Sequence, residues 1–359
     1  MMSKIKVGLV LSGGGAKGAY QVGVIKALSE LGTEVHALSG ASIGALNGAI
    51  LVSAGSLRQG AENLEQVWLT LANKSPVEVN KFIYLYLLAI VGLRLNPILT
   101  GIFATISKAA SRFYPENNWL DPSVLSNQPL KAMLDKHLCL DQLNQGMPFY
   151  VSLFKSQGKL LDITRILSAE FGIAENPKSE FIHLQSKPRE EQQKYLMASA
   201  AIPILFSSQS INGDVYTDGG QGGWSKQQGN TPIEPLIAAG CNLVIVTHLN
   251  DGSLWSRHDY PETTILEIRP QQSISRHHGT FGGVKNVLGF NRENITSWIQ
   301  QGYDDTKICF EKVMKLNQSV QELSQAHQLL VSGEATAVAA EKMLEQSMSR
   351  LRSFKKLDL

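Results

Sequence analysis

The first fifty residues repeat one pattern twice: an apolar run, a turn of small residues, then a stretch with helical spacing. Val7 to Leu11 leads into Ser12-Gly13-Gly14-Gly15 and a predicted helix from about Gly18 to Leu31. Val35 to Ser39 leads into Gly40-Ala41-Ser42 and a helix from about Ile43. Successive strand-turn-helix units place parallel strands in one sheet, because each helix carries the chain back to start the next strand in the same direction. Further strands are predicted at Phe149 to Phe154, Phe181 to Leu184, Val215 to Thr217, Leu243 to His248 and Thr264 to Ile268. The fold class is α/β, with a mainly parallel sheet covered on both faces.

Between Gly55 and Lys136 the pattern is mostly helical, broken at Pro76, Pro97, Pro115 and Pro122, which reads as a helical cap inserted at about residues 56–136. From Asn294 onward Gln, Glu, Lys, Leu and Ala dominate with helical spacing, and two or three closing helices are expected. The chain thus divides into a main domain of residues 1–290, cap included, and a helical extension of residues 291–359 packed on it. The polar stretch Gln271 to Gly283 is expected to be a mobile loop.

A hydrophobic content of 43% over 359 residues supplies a sizeable core. With 33 basic and 31 acidic residues, the net charge of +2 leaves no electrostatic footprint for nucleic acid. Cys139, Cys241 and Cys309 are widely spaced, so neither a disulfide framework nor a zinc cluster is indicated, and buried or idle thiols are expected. The start, MMSKIKVGLVLSGGG, lacks a cleavage-like site, and no signal peptide is expected. The uncharged run Phe82 to Leu93 is too short to span a bilayer, which takes about 20 apolar residues. It fits either an interfacial surface or a buried helix.

Gly13, Gly15 and Gly18 match G-x-G-x-x-G, but the end of the second strand lacks the acid that would hold a ribose, and Glu34 lies before that strand. The P-loop frame fails too, because Lys17 is followed by Gly18 rather than Ser or Thr. What ends the second strand is Gly40-Ala41-Ser42-Ile43-Gly44, a G-x-S-x-G between strand and helix. Such a turn lifts a serine oxygen clear of the sheet and aims a helix N-terminus at the reacting group. A serine nucleophile needs donors for the anion formed on the attacked carbonyl, and the amides of Gly13, Gly14 and Gly15 lie on the neighbouring loop at the same sheet edge. It also needs a proton acceptor, and Asp218-Gly219-Gly220 puts a carboxylate on an open turn after a short strand. His248, after the strand from Leu243, is the competing base and would make a Ser-His-Asp esterase. Only 41 residues precede Ser42, which counts against an α/β-hydrolase order. A nucleotide-binding Rossmann-type protein is the other alternative, and His277-His278 read as loop histidines.

The three motifs together resemble the patatin-like phospholipase family, which joins G-G-G-x-[KR]-G, G-x-S-x-G and D-G-[GA] in this order. Here they stand as Gly13 to Gly18, Gly40 to Gly44 and Asp218 to Gly220, with ASAAIPILF (Ala198 to Phe206) and NTP (Asn230 to Pro232) also similar. The resemblance spans roughly residues 5 to 250. It implies a three-layer α/β/α sandwich and a lipid acyl hydrolase of phospholipase A or lysophospholipase type. Ser42 would be the nucleophile, Asp218 the base without a histidine, and Gly13, Gly14 and Gly15 the oxyanion hole. Lys17 would orient that loop or attract a lipid phosphate, and Gly40, Gly44, Gly219 and Gly220 would shape the elbow and base turn. The implied chemistry takes no cofactor and no metal. By the same resemblance the partner is a phospholipid bilayer surface, with the protein cytoplasmic and peripheral to the inner face of a bacterial membrane. Homo-oligomerisation and a cyclic-nucleotide activator, as in antiphage effectors of the family, are further expectations that the resemblance raises.

Overall fold

The computed structural model describes residues 5–73, 128–158, 175–201, 208–250, 254–274 and 290–354. The middle of the expected cap, including Phe82 to Leu93 and the four prolines, lies outside the described residues. So do His277-His278, most of the Gln271 to Gly283 stretch and residues 202–206 of the ASAAIPILF motif.

The strands are β1 (Val7–Leu11), β2 (Ala37–Gly40), β3 (Phe149–Lys155), β4 (Glu180–His183), β5 (Gln209–Ile211), β6 (Asp214–Asp218), β7 (Leu243–Thr247) and β8 (Thr264–Ile268). They form one sheet in the pairing order β5-β6-β3-β2-β1-β7-β8, with β4 also on β3. The run β3-β2-β1-β7-β8 is parallel, while β4 and β6 pair antiparallel with β3. All five residues of β1 are buried, as expected of a parallel strand covered on both faces.

Pleat alternation sorts the two faces. Leu9 pairs with Leu38, and Leu38 with Phe149. Helix α2 (Ile43–Val52) packs there, so closely that a Cβ on Gly48 would lie 2.6 Å from Leu38 and 2.8 Å from Phe149. The opposite face carries Val10, Ala37, Val244 and Val246, which share an apolar cluster with Trp255 and with Leu236 of the short helix Glu234–Ala238. Full burial of a side chain such as Leu9 or Phe149 contributes about 1.5–3 kcal/mol. Helices therefore cover both faces, giving the three-layer arrangement.

Helices α1 (Ala19–Glu30) and α3 (Leu57–Asn73) form an outer pair on the α2 side, with α3 burying Ala61, Leu64, Val67, Trp68 and Leu71 at helical spacing. α3 and the helix Gln128–His137 are the described parts of the region expected as a cap.

Two differences from the sequence reading have local causes. The strand β5 was not anticipated; it forms because Asn212 (φ 53°) and Gly213 (φ 87°) make a two-residue hairpin turn of the type that Asn-Gly favours. The closing helices number one rather than two or three: a single helix runs from Arg292 to Phe354, 63 residues, with no proline to break it. Its first turns belong to the main unit, which extends to Thr306 rather than ending near residue 290. Ile295 and Trp298 are fully buried, and α1 meets this helix backbone to backbone through Gly23 and Gly302. A Cβ at Gly23 would stand 1.8 Å from the Ile299 carbonyl oxygen. Residues 307–359 form a second unit.

Candidate active site

Ser42 stands between β2 and α2 with φ 52° and ψ −125°, a conformation that costs a non-glycine residue about 1–3 kcal/mol and persists only when its surroundings enforce it. Three hydrogen bonds do so. The Gly44 amide donates to the Ala41 carbonyl (2.8 Å), the Ala45 amide to the Ser42 carbonyl (2.9 Å), and the Ser42 amide to Ser199 Oγ (3.0 Å). The flanking glycines are required by space. A Cβ on Gly44 would lie 2.0 Å from the Leu11 carbonyl oxygen, and one on Gly40 would lie 2.6 Å from the Gly44 carbonyl oxygen.

Sheet register brings Asp218 to this turn. Val151 pairs with both Gly40 and Ile182, whereas Leu153 pairs with both Glu180 and Asp218. A strand has two edges, so β4 takes one edge of β3 while β2 and β6 share the other. β2 runs parallel to β3 and β6 antiparallel, so the two arrive end to end, and Ser42 and Asp218 follow from their facing ends.

Asp218 is buried, only 6% exposed. Its Oδ1 accepts the Gly220 amide at 2.7 Å, while Oδ2 is buried without a hydrogen-bond partner among the described residues. Burial pushes its pKa up to about 6, against the opposing influence of the Ser42 hydroxyl and the Gly220 amide. The serine thus acts on the carboxylate as a neighbouring donor without completing a hydrogen bond to Oδ2. Gly219 must be small, since its Cβ would stand 2.1 Å from the Ser152 carbonyl oxygen.

The glycine loop lies against the elbow: a Cβ on Gly13 would be 2.9 Å from Ser42 Cβ. The Gly13 amide is engaged, donating to Asn230 Oδ1 at 3.1 Å. Gly14 and Gly15 are half-buried, and their amides have no acceptor among the described residues. Lys17 is buried rather than solvated, and its Nζ donates to Asn250 Oδ1 at 2.9 Å, fastening the loop to the segment after β7.

Sequence reading assigned no role to the side chains that brace these turns. Ser199 Oγ accepts from the Ser42 amide and donates to the Ser152 carbonyl at 2.7 Å. Asn230 holds the Gly13 amide and sits against Gly220. Beneath the glycine loop a buried chain runs from Trp68 Nε1 to Asn47 Oδ1 (3.0 Å), from Asn47 Nδ2 to Gln21 Oε1 (2.9 Å), and from Gln21 Nε2 to the Ser12 carbonyl (2.7 Å). Ser199 and Asn230 fall inside quoted motifs. Asn47 carried one available signal, a polar residue within an otherwise apolar helix.

His248 is buried on the far side of β1, two strands from β2. Its Nε2 lies 3.1 Å from Glu267 Oε2, and its ring meets Trp255 at 5.4 Å. Burial lowers its proton affinity against the pull of Glu267. Burial also resists ionisation of Glu267, but hydrogen bonds from His248 and Arg269 prevail and hold it at about 2. These contacts make His248 part of a β7–β8 cluster. The three cysteines are free thiols, Cys241 buried and Cys139 exposed. Among the described residues no group of three or more His, Cys, Asp or Glu could hold a metal ion, and no helix is long and apolar enough to cross a membrane.

A family profile described as Patatin-like phospholipase matches residues 9–237. Lysophospholipase nte1 of Aspergillus terreus is 64% identical over 44 residues, which is 12% of this chain and 3% of that protein. Patatin-like phospholipase domain-containing protein 7 of Mus musculus is 44% identical over 59 residues, 16% of this chain and 4% of that protein. These matches thus span a small part of the relatives' length. Among solved structures, VipD from Legionella pneumophila aligns over 86% of this chain and 67% of its own at 17% identity and a TM-score of 0.42. The profile spans the glycine loop, the elbow and the base turn, well over half of the chain, and by that match the chain belongs to the patatin-like phospholipase family.

Proposed function

We propose that this chain is a serine lipid acyl hydrolase of phospholipase A or lysophospholipase type that works with a Ser42–Asp218 dyad. The observation that carries the reading is a buried carboxylate beside a strained serine, with one oxygen, Oδ2, left without a partner among the described residues. Family membership and the names of the relatives support the substrate class, an acyl ester of a membrane phospholipid.

In the first half-reaction Ser42 Oγ attacks the ester carbonyl carbon while its proton passes to Asp218 Oδ2. Negative charge gathers on the carbonyl oxygen, where the Gly14 and Gly15 amides are the available donors. Gly13 serves instead as the strut that Asn230 holds. Collapse breaks the bond to the leaving alcohol, which takes the proton from Asp218 and departs, leaving Ser42 acylated. Water then adds to the acyl carbon, Asp218 accepts its proton, and the free fatty acid leaves as the proton returns to Ser42. A pKa near 6 suits both steps: the carboxylate is mostly ionised at neutral pH yet is a better base than an ordinary aspartate. Lys17, tied to Asn250, keeps the glycine loop in place.

A lipid substrate implies work at a bilayer surface, with the protein peripheral to it. The test is product analysis by mass spectrometry after incubation with mixed phosphatidylethanolamine and phosphatidylglycerol vesicles. Free fatty acid with the matching lysophospholipid, or with the glycerophosphodiester, supports acyl-ester cleavage. Release of a headgroup or of phosphatidic acid contradicts it.

A further inference from the structure

The second unit, residues 307–359, carries a pattern that the catalytic reading does not use. Along its helix Val313, Leu316, Val320, Leu323, His327 and Leu330 follow one another at alternating steps of three and four, and Cys309 extends the series one step upstream. That is the a/d alternation of a coiled coil, with positions 313, 320 and 327 at a and 316, 323 and 330 at d. These side chains face water: Val313 is 47% exposed, Leu316 66%, Val320 56%, Leu323 72% and Leu330 67%. A single helix with this seam uncovered gains little from folding, since helices draw most of their stability from packing an apolar face.

We propose that Cys309 to Leu330 is a dimerisation segment whose occupant is the same segment of a second copy, in a parallel two-stranded coiled coil. Three observations select that occupant. β-Branched valine at a with leucine at d is the combination that favours two parallel strands. Of the flanking positions, Phe310, Asn317, Ser319, Ser324 and Ala326 are uncharged, and the one charged residue, Lys312, falls opposite Asn317 of the second copy, so identical chains meet without like-charge repulsion, while Lys315 and Glu322 fall on the outer face. His327 places one polar residue at an a position, a device that fixes register between equal partners. The seam spans about 33 Å at 1.5 Å per residue, and Glu334 and Glu341 at later a positions end it.

The test uses the full chain. Light scattering after size exclusion at micromolar concentration should give twice the 39.3 kDa chain mass for the wild type. It should give the single-chain mass for the double variant Leu316→Glu, Leu323→Glu, with association weakened at least about 100-fold and hydrolysis of a soluble ester unchanged. In Leu323→Cys on a Cys139→Ser, Cys309→Ser background, mild oxidation should cross-link two copies, because a parallel in-register pair places d opposite d. A single-chain mass for the wild type, a dimer that persists in the double variant, an assembly of three or more copies, or a dimer of Leu323→Cys that resists cross-linking overturns the proposal.

Discussion

Gly40 and Asp218 occupy the same edge of β3, paired with Val151 and Leu153 from opposite directions. This end-to-end meeting of β2 and β6 brings together two residues 176 positions apart, Ser42 and Asp218, without any long side chain to bridge them. The buried position of Asp218 follows from the same geometry, and the consequences for activity, stability and pH are separable.

Activity should titrate with the carboxylate. The base works only when ionised, and burial raises its pKa to about 6. The ratio kcat/KM on a soluble ester should therefore be level above about pH 7 and fall about tenfold per pH unit below about 6. A profile flat down to pH 4.5 would contradict Asp218 as the base.

Stability should move the other way. The folded state holds the proton on Asp218 more tightly than the unfolded chain, whose carboxyl titrates near 3.9. Wild-type stability therefore falls as pH rises from about 4 through about 6, by up to roughly 3 kcal/mol. Asp218→Asn removes the buried charge while keeping an acceptor for the Gly220 amide. It should be more stable than the wild type at pH 8 and gain little at pH 4, as read by urea unfolding. An equal difference at both pH values would remove the link to ionisation.

Ser199 should matter through the backbone of its neighbour. Ser199→Ala leaves the buried Ser42 amide without its acceptor, at about 1–3 kcal/mol, and loosens the elbow. We expect kcat to drop about 10- to 100-fold with little change in KM, and Ser199→Thr, which keeps the hydroxyl, to recover most of it. A rise in KM alone would place the defect in substrate binding.

The elbow should not tolerate one added methyl. Gly44→Ala puts a carbon where the Leu11 carbonyl oxygen already lies, and the chain should lose several kcal/mol of stability or fail to fold. Gly333→Ala is the contrasting case. Among the described residues nothing lies within 4 Å of its Cβ in a helix interior, so the change should raise helix stability by about 0.5–1 kcal/mol. Circular dichroism on heating measures both.

Most of the sheet was legible because β1, β2, β3, β7 and β8 are short apolar runs with small residues or polar turns at their ends. The motif residues were legible because Gly44 and Gly219 stand where backbones touch, which leaves only glycine in the sequence. The supports were not legible. Ser199, Asn230 and Asn47 act through hydrogen bonds between residues 21 to 217 positions apart, and no local periodicity records such a contact. The long C-terminal helix was divided too finely, since its helical spacing carries no proline and polar side chains alone do not stop a helix.

The most direct test of the dyad is fatty-acid release from phospholipid vesicles by the wild type, Ser42→Ala and Asp218→Asn, each checked for native circular dichroism. The account predicts release by the wild type, and loss of at least about 10²-fold in both folded variants. Release that survives in Asp218→Asn while vanishing in Ser42→Ala would contradict it and assign the proton to another base.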